Sequence, residues 1–147
     1  MDERVKRIDT PEKCEIFIKN ALAKNNKELA NQARSRAILL RAEKYGAKTI
    51  AEKEALEAVY AYETVLSKKN GKKTRASRTW QMIERHGIIE SVERAVNRSA
   101  ETQGYIALVE MGLEEHAFES VILRHPEVFS EKAKEISKNR VSNWIRA

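Results

Sequence analysis

Helix punctuation constrains this chain more than any other feature. Two prolines and five glycines interrupt 147 residues. Most of them fall where an amphipathic helix would begin or stop, and no stretch alternates apolar and polar residues between turn signals as a half-buried strand would. The expected fold is therefore all-α: a compact single-domain bundle of about seven helices with no sheet. A chain of this length sits near the usual size of one domain and has the apolar content for one core.

The punctuation places the elements. Thr10-Pro11 supplies a hydroxyl cap and a first-turn proline for a helix that turns Cys14, Phe17, Ile18 and Ala21 inward and ends at Asn25-Asn26. A second helix is predicted from about Lys27 to Tyr45, with Leu29, Ala33, Ala37 and Leu40 inward and Gly46 as its stop. Thr49 and Glu52 have capping-box spacing and open a third helix of roughly 20 residues, about 30 Å long, carrying Leu56, Val59, Tyr62 and Leu66. Shorter helices follow over about 76–86 and 88–97, then one ending near Gly112 and one near Arg124. Leu113, Ala117, Phe118, Val121, Ile122 and Leu123 read as buried, His125-Pro126 as a break, and Ser130 as the cap of a terminal helix with Ala133, Ile136, Val141 and Trp144 inward.

Charge is segregated along this chain. The formal net charge is +6, and the segment Lys68 to Arg98 holds nine basic residues against three acidic ones, which is all of it. The other residues hold 19 of each sign. Between Lys68 and Arg78 there are six cations, no acid, and two hydroxyl residues, Thr74 and Ser77, just before a predicted helix. Unpaired backbone N–H groups and a partial positive charge at a helix start suit phosphate oxygens, and lysine and arginine add charge and directed hydrogen bonds.

On a helix from Ala76, a 100° step puts Ala76, Trp80, Ile83 and Gly87 on the core side and Arg78, Gln81, Met82 and Arg85 outward, with Arg75 at the edge. The expected contact set is Lys68, Lys69, Lys72, Lys73, Thr74, Arg75, Ser77, Arg78, Gln81 and Arg85, and the expected partner is nucleic acid, duplex DNA in preference to RNA. A helix-turn-helix arrangement fits less well, because the helix after Gly87 turns Glu90 and Glu93 outward with Arg94 and Asn97. The alternative is a helical protein-interaction module, homodimeric or with another partner, using the long third helix or the apolar second half.

Other chemistry is sparse. Cys14 is the one cysteine, which rules out an intrachain disulfide and a cysteine zinc cage, fits a cytoplasmic setting, and falls on an apolar face as an inert thiol. No run approaches a membrane span or a secretory signal, so no membrane partner is expected. Gly71-Lys72-Lys73-Thr74 lacks the glycine that a phosphate-binding loop needs five positions earlier, where Leu66 stands.

His86 precedes a helix stop and His125 a helix break, where it is expected to satisfy local backbone groups. His116 and Glu119, near Glu110, Glu114 and Glu115, would share a helix side but offer a metal one nitrogen ligand. No catalytic residues, cofactor or metal are assigned.

Overall fold

The computed structural model describes residues 1–98 and 102–146, with the side chains of 102–104 and 145–146 left aside. All regular structure among the described residues is helical. Nine α-helices are present rather than about seven: α1 (Glu3–Lys6), α2 (Pro11–Ala23), α3 (Lys27–Tyr45), α4 (Ile50–Asn70), α5 (Ser77–His86), α6 (Ile88–Arg98), α7 (Thr102–Glu110), α8 (Phe118–Arg124) and α9 (Glu131–Arg146). A 3-10 turn over Glu114–His116 lies between α7 and α8.

The capping residues perform as their chemistry dictates. The side-chain oxygens of Thr10, Asn26 and Thr49 accept from the backbone N–H of Lys13, Leu29 and Glu52. Ser130 Oγ does the same for Ala133. Gly46 ends α3 and Gly71 ends α4 in left-handed backbone, φ 85° and 69°, which a side chain would strain. The extra helix α1 is a single turn capped by Asp2, too short to show periodicity, and it buries Val5 fully.

Helix α4 is the axis of the molecule. Ala55 and Ala58 pack with Val92 and Val96 of α6, Val121 and Ile122 of α8, Phe129 of the connection that follows, and Ala133 of α9. Ala61 packs with Ile38, Leu108, Met111 and Leu113, while Leu56 and Val59 pack with Ala42, Ala76 and Ile83. The buried residues of α4, Ala51, Ala55, Leu56, Glu57, Ala58, Val59 and Ala61, gather in its N-terminal part, while Ile50 at its start is 71 % exposed. The hairpin α2–α3 closes a fourth cluster through Ile18 and the small residues Ala21, Ala30 and Ala33, which let the helices approach closely.

Two side-chain expectations are corrected. In α3 the buried stripe is Ala30, Ala33, Ala37, Ile38 and Ala42, rotated away from Leu29 and Leu40, which are half-buried. Leu123, grouped with the core, is 37 % exposed, because α8 is covered through Val121 and Ile122.

Candidate nucleic-acid interface

The basic segment begins on the last turn of α4, where Lys68 and Lys69 meet the negative end of the helix dipole and stand exposed. Beyond Gly71 the chain doubles back along α4 and is held there by three side chains. Ser67 Oγ accepts from the backbone N–H of Thr74 at 2.8 Å and donates to its carbonyl at 3.3 Å. Asn70 Nδ2 donates to Thr74 Oγ1 at 3.2 Å, and that hydroxyl donates to the Lys72 carbonyl at 2.9 Å. Thr74 is thus half-buried and engaged within the loop, while Lys72 and Lys73 project from it exposed.

The decisive fastening comes from Glu63. One carboxylate oxygen accepts from the backbone N–H of Ala76 at 2.9 Å and from Trp80 Nε1 at 2.6 Å. A carboxylate at the start of α5 also complements the positive end of its dipole. Trp80 is clamped between Tyr45 and Tyr60, with ring centroids 5.7 and 5.2 Å away, and the Arg75 guanidinium lies 5.4 Å from its ring centre. Trp80 therefore belongs to the packing, as its helical spacing implied.

With Trp80 and Ile83 inward, Ser77, Arg78, Gln81 and Arg85 are exposed, and the steps of four between Ser77, Gln81 and Arg85 align them along one face. Met82, expected to point outward, is half-buried against a small cavity of about 190 Å³, with Arg98 Nη2 3.4 Å from its sulfur. None of Lys68, Lys69, Lys72, Lys73, Arg75, Arg78 or Arg85 has a carboxylate within ion-pair distance among the described residues. Nearby α6 differs: its Glu90 is 3.3 Å from Arg94 and 3.8 Å from His86, and Glu93 accepts from the backbone of Ser130.

The fold adds two cations that the segment count did not include. A groove of about 520 Å³ runs beside the basic loop, lined by Lys68, Lys72 and Lys73 on one side and Arg34 and Arg41 of α3 on the other. Glu15 and Glu63 are the acids in its wall. Arg41 lies 3.3 Å from Glu15, and Arg34 Nη1 donates to Asn31 at 2.7 Å. Burial lowers the Arg34 pKa from the ordinary arginine value, with Glu15 opposing. The sequence signal for the pair was their spacing of seven, with Ala37 between them, on one face of α3.

The remaining candidates separate. His116 lies in the 3-10 turn, whereas Glu119 is in the first turn of α8 and pairs with Arg140 of α9 at 3.1 Å, so the two do not share a helix side. The His125 ring, expected to serve local backbone, reaches Glu54 of α4 at 3.2 Å. Among the described residues no three His, Cys, Asp or Glu side chains are grouped to hold a metal ion, and no helix is long and apolar enough to cross a membrane. The chain matches no protein-family model, no curated protein and no solved structure.

Proposed function

We propose that this protein binds nucleic acid, duplex DNA in preference, by gripping phosphates with the basic loop and the outward face of α5. The observation that carries this reading is a run of exposed cations, Lys68 to Arg85, without ion-pair partners among the described residues, in a chain whose other charges balance. Cations paired with local carboxylates have little to offer a phosphate; these are unspent. The loop is pinned at Thr74 and Ala76, so little ordering entropy opposes binding. Lys72, Lys73, Arg75 and Arg78 supply charge, and Gln81 and Arg85 on the helix face can reach base edges. Arg34, hydrogen-bonded to Asn31 and outside any ion pair among the described residues, extends the positive wall into the groove.

The test is a low-salt titration of a fluorescent duplex against wild type and against a variant with Lys72, Lys73, Arg75 and Arg78 all replaced by glutamine. Wild type binds, and the variant loses most of its affinity while keeping its helical content. Equal binding by both proteins would remove the proposal.

A second reading, self-association, is favoured by a different observation. Ile106 and Val109 on α7 and Leu123 on α8 are exposed by 50 %, 47 % and 37 %. In that reading the apolar second half is the interface, and the mass in solution rises with concentration in the absence of nucleic acid.

A further inference from the structure

A second cleft, of about 730 Å³, lies between α3, α4 and the turn after Gly112, and it has the opposite character to the basic groove. Glu28, Glu54, Glu57 and Glu115 line it, with Lys53 and Arg124 as its side-chain cations beside His116. Arg124 is already committed, at 2.6 Å to Glu54 and 2.8 Å to the Glu115 carbonyl. At the floor stand two side chains whose polar atoms are left over. Glu57 is 6 % exposed and His116 is 5 % exposed. No hydrogen-bond donor among the described residues reaches the Glu57 carboxylate, and His116 Nε2 is buried without a partner. Both ring nitrogens face carboxylates of this cleft, Nδ1 at 3.8 Å from Glu57 and Nε2 at 3.9 Å from Glu115.

These separations are too long for direct hydrogen bonds and leave room for one donor atom shared between each pair. We propose that this cleft binds an aliphatic primary ammonium ion, with its nitrogen seated between a Glu57 carboxylate oxygen and His116 Nδ1 as acceptors, the ring proton then residing on Nε2, toward Glu115. The charge of the cleft favours a cation, since it presents four carboxylates, Glu28, Glu54, Glu57 and Glu115, against two side-chain cations, Lys53 and the already paired Arg124. The acceptor geometry selects an ammonium. A guanidinium fork prefers both oxygens of one carboxylate in its plane, whereas here the acceptors are a carboxylate oxygen and a ring nitrogen on separate elements. A metal ion is disfavoured because the described residues hold no three-ligand group. Burial keeps the imidazole neutral by lowering its pKa, so one ring nitrogen is an acceptor. The hydrocarbon tail would lie along Leu39, beside Asn31 and Ser35 of α3.

The experiment titrates the full chain with butylammonium chloride and follows the His116 ring by NMR, with tetramethylammonium chloride at equal ionic strength as the probe without N–H donors. The expected result is a saturable shift of the His116 signals with butylammonium, none with tetramethylammonium, and at least a tenfold weaker affinity in Glu57→Gln. Circular dichroism of that nearly isosteric variant shows that its fold is intact. An equal response to both salts, an unchanged affinity in Glu57→Gln, or no shift at His116 overturns the proposal. Broadening of His116 by micromolar Mn²⁺ overturns it in favour of a metal site. Because no nucleic acid is present, the outcome is independent of the reading of the basic loop.

Discussion

Glu57 places a carboxylate on the interior side of α4, and burial pushes its pKa up, with Glu54 adding to the rise. A raised folded-state pKa gives a contribution to stability that is complete below the ordinary carboxylate range and lost as pH rises through the folded value. His116 has the opposite sign. Burial lowers its pKa, with Glu115 opposing, so its contribution is present above about pH 6.5 and lost as pH falls through the folded value. Glu57→Gln removes the buried charge but keeps the shape. Urea unfolding should find it more stable than wild type at pH 8 by about 1 kcal/mol, with the difference vanishing near pH 4. Equal differences at both pH values would contradict the burial argument. Cys14 is fully buried and its thiol is pushed up to about 11, so an aromatic disulfide reagent should modify it only as fast as the protein opens. Gly112 has φ +68°, and a Cβ there would lie 3.1 Å from the Asn31 side-chain amide. Gly112→Ala combines backbone strain with that close approach and should lower stability by about 1–2 kcal/mol in thermal unfolding.

Between elements, two carboxylates do most to fix the geometry. Glu63 of α4 holds the start of α5, and Glu63→Ala should destabilise by about 2 kcal/mol and shift Trp80 emission to the red as its indole N–H turns to water. Unchanged emission would mean that α5 docks through its apolar face alone. Glu119 and Arg140 tie α8 to α9 with side chains only 12 % and 13 % exposed. Arg140→Ala strands a buried carboxylate and should lose about 3 kcal/mol in chemical denaturation, whereas the double change Arg140→Met with Glu119→Leu should recover most of it. What could be read from the sequence follows from range. Thr10, Thr49, Ser130 and Gly46 act within three or four residues, so their helices were legible. Helix α1 was not, since one turn carries no period; the break near Gly112 was legible, but not the 3-10 turn that delays the start of α8 to Phe118. Arg78, Gln81 and Arg85 were legible as one face because a 100° step depends on nothing distant, whereas Met82, put on that face by the same step, is half-buried. Glu63 acts 13 and 17 residues away, and Arg34 lies across the groove from Lys72, so neither role could be seen before α3, α4 and α5 were docked.

At the scale of the molecule, charge is divided between two clefts. The groove beside the basic loop is lined by five cations and two acids, while the Glu57 cleft has four acids against two side-chain cations, Lys53 and Arg124. Segregation of this kind steers ligands of opposite sign to different faces, and it survives folding here because Glu63, the α4 carboxylate nearest the loop, is turned toward Ala76 and Trp80. If the exposed cations of the loop and α5 engage phosphates, duplex binding must weaken steeply as salt rises. Each phosphate contact contributes about −0.9 to the slope of log K against log salt. Replacing Lys72, Lys73, Arg75 and Arg78 with glutamine should therefore flatten the slope by about 3 to 4 as well as weaken binding. The same slope in both proteins, or no binding by wild type at about 50 mM salt, would mean that these cations do not grip phosphates.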